Sequence, residues 1–133
     1  MTSVIGIVAA VVLDERNHVL VVRKRGTSSF MQPGGKIEPG EEPLQALVRE
    51  VYEELGTGFD TTSARALGRY TAAAANEPGH VVDAQLYSVV LDGDPAPQAE
   101  IEEMAWVDPH APGAIELAPL TRHTVLGLAR DPV

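Results

Sequence analysis

Cysteine is absent from the 133-residue chain. That excludes disulfide scaffolds, thiolate zinc sites, iron–sulfur clusters and cysteine nucleophiles together. Basic residues are scarce, with ten Lys and Arg against nineteen Asp and Glu and a formal net charge of −9. A surface that acidic repels the backbone of duplex DNA or RNA, so a general nucleic-acid binder is disfavoured. Long apolar runs are missing too. The longest, Val4 to Leu13, has ten residues, against the roughly twenty that a membrane span needs. Only Met1, Thr2 and Ser3 precede it, with no Lys or Arg, and Asp14-Glu15-Arg16 follows. It therefore reads as a buried strand rather than the core of a secretory leader. A cytoplasmic location is expected, with neither membrane nor nucleic acid as a partner.

What is present suits one compact domain over residues 1–133, because 44% of the residues are hydrophobic and a chain of this length can bury a core. VIGIVAAVVL is β-branched and uninterrupted, the pattern of a strand covered on both faces. After the polar Asp14–Asn17 link, HVLVVRKR resumes as a second strand, and the pair reads as a hairpin. Alternation sets Val19, Val21, Arg23 and Arg25 on one face and Leu20, Val22 and Lys24 on the other. Residues 26–40 hold four glycines and two prolines and read as loop. A helix follows from Pro43, which suits a first turn, to Leu55, with Gly56 and Gly58 available to end it. Two further extended runs, around ALGRYTA and HVVDAQLYSVVL, flank the turn at Asn76–Gly79. A short strand is expected over Ile101–Val107 and a closing helix over Leu120–Ala129. The fold class is α/β, with a mixed sheet and at least two helices.

Charge is unevenly placed. Residues 1–34 carry four bases and two acids, whereas residues 35–57 carry six acids and two bases. A basic cluster directly before a dense acidic one suits a ligand that brings phosphate and a divalent cation together. On a helical projection that sets Leu44 at zero, Leu44, Leu47, Val48, Val51 and Leu55 form the apolar stripe. Glu50, Glu53 and Glu54 fall off that stripe at about 240°, 180° and 280°. Like charges one turn apart cost an isolated helix about 0.2–0.5 kcal/mol per pair. A divalent cation reverses that sign, and oxygen-only donors select hard ions such as Mg²⁺ or Mn²⁺.

Upstream lie Gly34-Gly35, Glu41 six residues after Gly35, and Arg49 directly before Glu50. Residues 35–57 thus resemble the signature of the Nudix hydrolase family, of MutT-like type, G-x5-E-x7-R-E-U-x-E-E-x-G-U with U aliphatic. Gly35, Glu41, Arg49, Glu50, Val51, Glu53, Glu54 and Gly56 match, and Thr57 departs from the aliphatic last position. Seven fixed positions, each with a background near ~6%, coincide in about one window in several hundred million.

The resemblance implies an α/β/α sandwich and hydrolysis of a nucleoside diphosphate linked to another group. It implies that Glu50, Glu54 and the Gly34 carbonyl bind Mg²⁺ or Mn²⁺, with Glu53 on a further ion. Arg49 would orient the carboxylates, Glu41 would tie loop to helix, and Gly35 and Gly56 would shape the box. The water-activating base is expected at Glu53 or Glu100, the latter six residues before Trp106, with Glu103 a weaker candidate. Substrate phosphate would meet Arg23, with Gly35 and Lys36 beside it, and Phe30 would cover a nucleobase. Downstream residues that mark the ADP-ribose, dinucleoside polyphosphate, NADH and coenzyme A branches are missing. That leaves a (deoxy)nucleoside triphosphate as the leading substrate, oxidised nucleotides included. ADP-ribose or another nucleotide sugar is the alternative, and a non-catalytic nucleotide sensor the alternative from another class. A monomer or a homodimer is expected.

Overall fold

The computed structural model describes residues 3–130. In chain order the elements are β1 (Ser3–Val11), β2 (Val19–Lys24), β3 (Gly34–Lys36), α1 (Pro43–Leu55), β4 (Arg65–Ala73), β5 (His80–Ser88), β6 (Ile101–Val107), a π-helical turn (Thr121–Val125) and α2 (Leu126–Arg130), with one 3₁₀ turn at Thr61–Ser63. The strands form a four-stranded sheet in the order β3-β1-β5-β4 and a two-stranded sheet of β2 and β6. Only β1 and β5 run parallel, so the larger sheet is mixed and the architecture is an α/β sandwich.

Two apolar clusters lie on opposite sides of the strands. Val8, Ala10, Val12, Leu20 and Val22 pack with Ala46, Leu47, Val51 and Leu55 of α1. Ala9, Val11, Val19 and Val21 pack with Leu120, Val125, Leu126 and Ala129 at the C-terminal end. Each fully buried Leu or Val stabilises by about 1.5–3 kcal/mol relative to exposure, so α1 is fixed by its stripe. Its ends are set locally. Pro43 opens it, the Gln45 side chain accepts from the Glu42 backbone N–H at 2.9 Å, and Gly56 closes it at φ 71°. A left-handed closing residue favours glycine.

The structure corrects four sequence expectations. First, β1 and β2 are not a hairpin. β1 pairs with β3 and β5, β2 pairs with β6, and only Leu13 and Val19 bridge at the bend. Two adjacent β-branched runs carry no information on which neighbour each one chooses. Second, β1 is covered only at its C-terminal end, from Val8 to Val11, and Val4 is 63% exposed. Third, residues 26–40 are not all loop, because Gly34–Lys36 pair with Ile7–Ala9 and Met31 bridges Val22. Backbone pairing requires no apolar side chain, so glycines conceal it. Fourth, the closing helix is present but not α-helical throughout, because Thr121–Val125 form a π-helical turn. Among the described residues, no helix is long and apolar enough to cross a membrane.

Candidate functional site

Arg49 organises the site. Its Nε and Nη2 donate to the two Glu41 carboxylate oxygens, each at 2.9 Å. Its Nη1 donates to Glu50 at 2.7 Å, and Nη2 also reaches the Lys36 carbonyl at 3.2 Å. A planar guanidinium makes such a fork where an ammonium cannot. One side chain thereby joins β3, the loop that follows it and α1. The Arg49 hydrogen bonds hold the Glu41 carboxyl down to about 2, and Glu41 also accepts the Glu38 backbone N–H at 3.0 Å.

Glu50 and Glu54 lie deeper than the helical projection indicates. Glu54, at the margin of the stripe, is only 6% exposed and accepts the Gly34 backbone N–H at 3.1 Å. Burial pushes its carboxyl up to about 8, and the charges of Glu50 and Glu100 push the same way. Burial also raises Glu50, against the pull of Arg49. Gly35 lies against the Glu50 carboxylate with no side chain between them. Glu53 remains exposed, 3.9 Å from Arg49 Nη1.

Glu50 and Glu53 line a cleft of about 610 Å³. Glu100, Gly35, Lys24 and Lys36 line it with them, as do the apolar Ile5, Ile7, Val82, Ala118 and Leu120. Asn76 and Glu77 of the β4–β5 turn form part of the rim, where Glu77 lies 3.9 Å from Lys36 Nζ. Polar groups converging in an apolar cleft are the usual form of a small-molecule site.

The structure thus gathers Glu41, Arg49, Glu50, Glu53, Glu54, Gly34, Gly35, Lys36 and Glu100, while Gly56 closes the helix. Two expected substrate contacts lie elsewhere. Arg23 binds the Glu103 carboxylate at 2.6 Å and the Thr27 carbonyl at 2.8 Å and does not line the cleft. Phe30 bridges Leu117 and packs in the second cluster, with the Arg23 guanidinium 6.0 Å from its ring centre. Lys24 takes the position expected of Arg23. It lines the cleft, and its charge acts on both Glu50 and Glu54. The register shift between Arg23 and Lys24 leaves Glu102 as the extra residue, so the bulge lies in β6. Alternation along β2 had already placed Lys24 on the face of Leu20 and Val22. Thr57, where the signature has an aliphatic residue, is buried at 8% exposure and donates to the Gly58 carbonyl at 3.4 Å.

The donor set fits a hard divalent ion. Among the described residues no group of three His, Cys, Asp or Glu side chains is placed to hold a metal ion. Mg²⁺ needs none, because it takes one or two carboxylates and completes its shell with water and substrate oxygens. Glu50 and Glu54, buried beside a glycine bend, are oxygen donors of the type such an ion takes.

Comparison with known proteins agrees with this geometry. Residues 5–126 match the family model described as NUDIX domain. The chain is 28% identical over 100 residues, 74% of its length and 63% of the relative's, to a Bacillus subtilis (strain 168) protein whose name proposes an 8-oxo-dGTP diphosphatase. Over 51 residues, 38% of its length and 29% of the relative's, it is 45% identical to the RNA pyrophosphohydrolase of Photorhabdus laumondii subsp. laumondii. It spans less than two thirds of the length of these curated relatives. A structure titled as a NUDIX hydrolase from Nitrosomonas europaea superposes with a TM-score of 0.70 at 30% identity, over 91% of this chain and 85% of that one.

Proposed function

The chain belongs to the NUDIX domain family, and from that membership we propose that it hydrolyses the phosphoanhydride of a nucleoside diphosphate linked to another group, with a nucleoside or deoxynucleoside triphosphate as substrate. The observation that carries the reading is one cleft that brings together carboxylates held by Arg49 and Gly35 and apolar side chains of β1, β5 and the C-terminal segment. Phosphates belong with the first group and a nucleobase against the second.

Members of the family generally use divalent metal ions. Glu50 and Glu54 would hold one here, with Glu53 facing a further ion, and Mg²⁺ or Mn²⁺ suits their oxygen donors. Bound there, the ion supplies charge stabilisation on the attacking and leaving oxygens. The protein's own groups do the rest. Glu53 or Glu100, both exposed and both lining the cleft, takes a proton from water. The water oxygen bonds to phosphorus as the bridging P–O bond between the α and β phosphates breaks, leaving monophosphate and pyrophosphate. Lys24 and Lys36 orient the phosphates, and Arg49 keeps Glu50 aimed at them.

Two relatives bear on the substrate. The name of the Bacillus subtilis protein proposes an oxidised deoxynucleotide, and the longer alignment is with that protein. The RNA pyrophosphohydrolase alignment covers only 51 residues. Glu38, Glu50, Glu53, Glu77 and Glu100 line the cleft against three bases, Lys24, Arg25 and Lys36, which offers no basic track for an RNA chain. Chromatographic separation of the products formed from a panel of nucleoside triphosphates, 8-oxo-dGTP, ADP-ribose and triphosphate-capped RNA, with Mg²⁺ or Mn²⁺, tests the reading. Pyrophosphate from a triphosphate supports it. A preference for ADP-ribose replaces the substrate, and inertness toward every anhydride while nucleotides still bind makes the chain a sensor.

A further inference from the structure

Among the described residues four polar or charged side chains are buried, namely Gln32, Glu54, Thr57 and Thr121. Glu54 belongs to the carboxylate cluster and Thr57 to the exit of α1. Gln32 and Thr121 form a pair of their own. Thr121 Oγ1 donates to Gln32 Oε1 at 2.6 Å, and Gln32 Nε2 donates to the Leu20 carbonyl at 3.4 Å. They are 5% and 1% exposed, and both line the cleft beside Ala118 and Leu120.

An apolar wall needs no such pair, because leucine and valine would fill it without polar groups to satisfy. The pair also keeps hydrogen-bonding capacity in reserve. A glutamine amide has two N–H donors and an oxygen with two lone pairs, and a hydroxyl that donates still accepts. The fold occupies one amide N–H, weakly, and one amide lone pair. One donor on Gln32 and an acceptor on Thr121 remain.

A second, independent feature marks the same residue. The π-helical turn starts at Thr121, whose carbonyl accepts from Leu126 five residues on, whereas Arg122 N–H still bonds four residues back to Ala118 at 3.0 Å. Single π turns are rare and concentrate at functional sites. Gln32 is anchored as well, because the next residue, Pro33, accepts the Ala10 N–H at 2.8 Å. Both groups therefore sit on supported backbone, as a recognition element requires.

We propose that Gln32 and Thr121 are specificity-determining residues that read the hydrogen-bonding edge of the nucleobase. The inference rests on the nucleotide reading above, with the phosphates at the carboxylates. Base edges set a donor beside an acceptor, which the pair can answer with one of each. A ligand that mismatches them leaves buried groups unpaired, a stronger rejection than shape alone gives.

The test is equilibrium binding of the adenosine, guanosine, cytidine and uridine monophosphates without metal, run beside hydrolysis of the matching triphosphates with Mg²⁺. The wild type should rank the four bases. Thr121→Val, nearly isosteric, should weaken the best ligand about tenfold or more and the others less than about threefold, flattening the ranking. Thr121→Ser should keep the ranking, and Gln32→Met should flatten it from the other side of the bond. Equal weakening of all four ligands, no weakening, or an unranked wild type would overturn the proposal. A wild type that ranks bases yet hydrolyses nothing overturns only the hydrolase reading. One that hydrolyses with a ranking untouched by Thr121→Val overturns only this inference.

Discussion

The Glu50 carboxylate occupies the space that a side chain on Gly35 would need. A Cβ added there would lie 2.6 Å from Glu50 Cδ and 2.7 and 2.8 Å from its oxygens. These atoms end a flexible side chain, so the fold can yield by moving them, and the site loses its geometry instead. Gly35→Ala should keep its melting temperature within about 3 °C of wild type while kcat falls roughly 100-fold. Gly34→Ala should do the opposite first. Its Cβ would meet the Val8 carbonyl at 2.2 Å from a φ of 152°, so destabilisation of at least about 2 kcal/mol should precede any kinetic effect. Thermal unfolding beside steady-state kinetics separates the two variants.

Lys24 and Arg23 are neighbours with different work. Lys24→Ala should raise KM for a triphosphate about tenfold, because it removes a charge that lines the cleft and acts on Glu50 and Glu54. Arg23→Ala breaks the contact with Glu103, an acid whose side chain is 57% exposed, and exposed pairs contribute about 0–1 kcal/mol. Its KM should stay within about threefold of wild type. Equal effects from the two variants would show that the two faces of β2 do not divide their roles.

Acid should loosen the clamp on α1. The Glu41 carboxyl ordinarily titrates near 4.5 and is held at about 2 in the folded chain, chiefly by hydrogen bonds from Arg49. Between those values the unfolded chain binds more protons than the folded one, so stability falls as pH falls. The Glu41 contribution is complete above about 4.5 and is lost as pH drops toward 2. Glu41→Gln should narrow the difference in melting temperature between pH 6 and pH 3. An unchanged difference would mean that the fork carries no stability.

The sequence showed the helix, its acids and the Arg49–Glu50 step plainly, because those roles depend on residue type at short, fixed spacing. It identified Gly35 and Gly56 for the same reason. Where pairing is long-range, it was silent or misleading. β1 selects β5, more than seventy residues away, by packing that periodicity does not encode, and β3 is built from glycine, whose only contribution is backbone. Arg23 was expected at the phosphate from the family resemblance alone, although alternation along β2 sets Lys24, not Arg23, on the face shared with Leu20 and Val22. Gln32 and Thr121 gave no signal, since a buried polar pair 89 positions apart exists only once the chain has folded. Glu54 lay about 20° outside the stripe, and tertiary packing carried it inside.

Manganese titration, followed by the electron paramagnetic resonance of the unbound ion, tests directly whether Glu50 and Glu54 hold the divalent ion. Wild type should bind Mn²⁺ and bind it more tightly with a nucleotide present. Glu54→Gln should weaken that binding at least about tenfold, while remaining as stable as the metal-free wild type, because the amide carries no buried charge. Unaltered Mn²⁺ binding in a Glu50→Gln, Glu54→Gln double variant that still hydrolyses triphosphates would contradict the account.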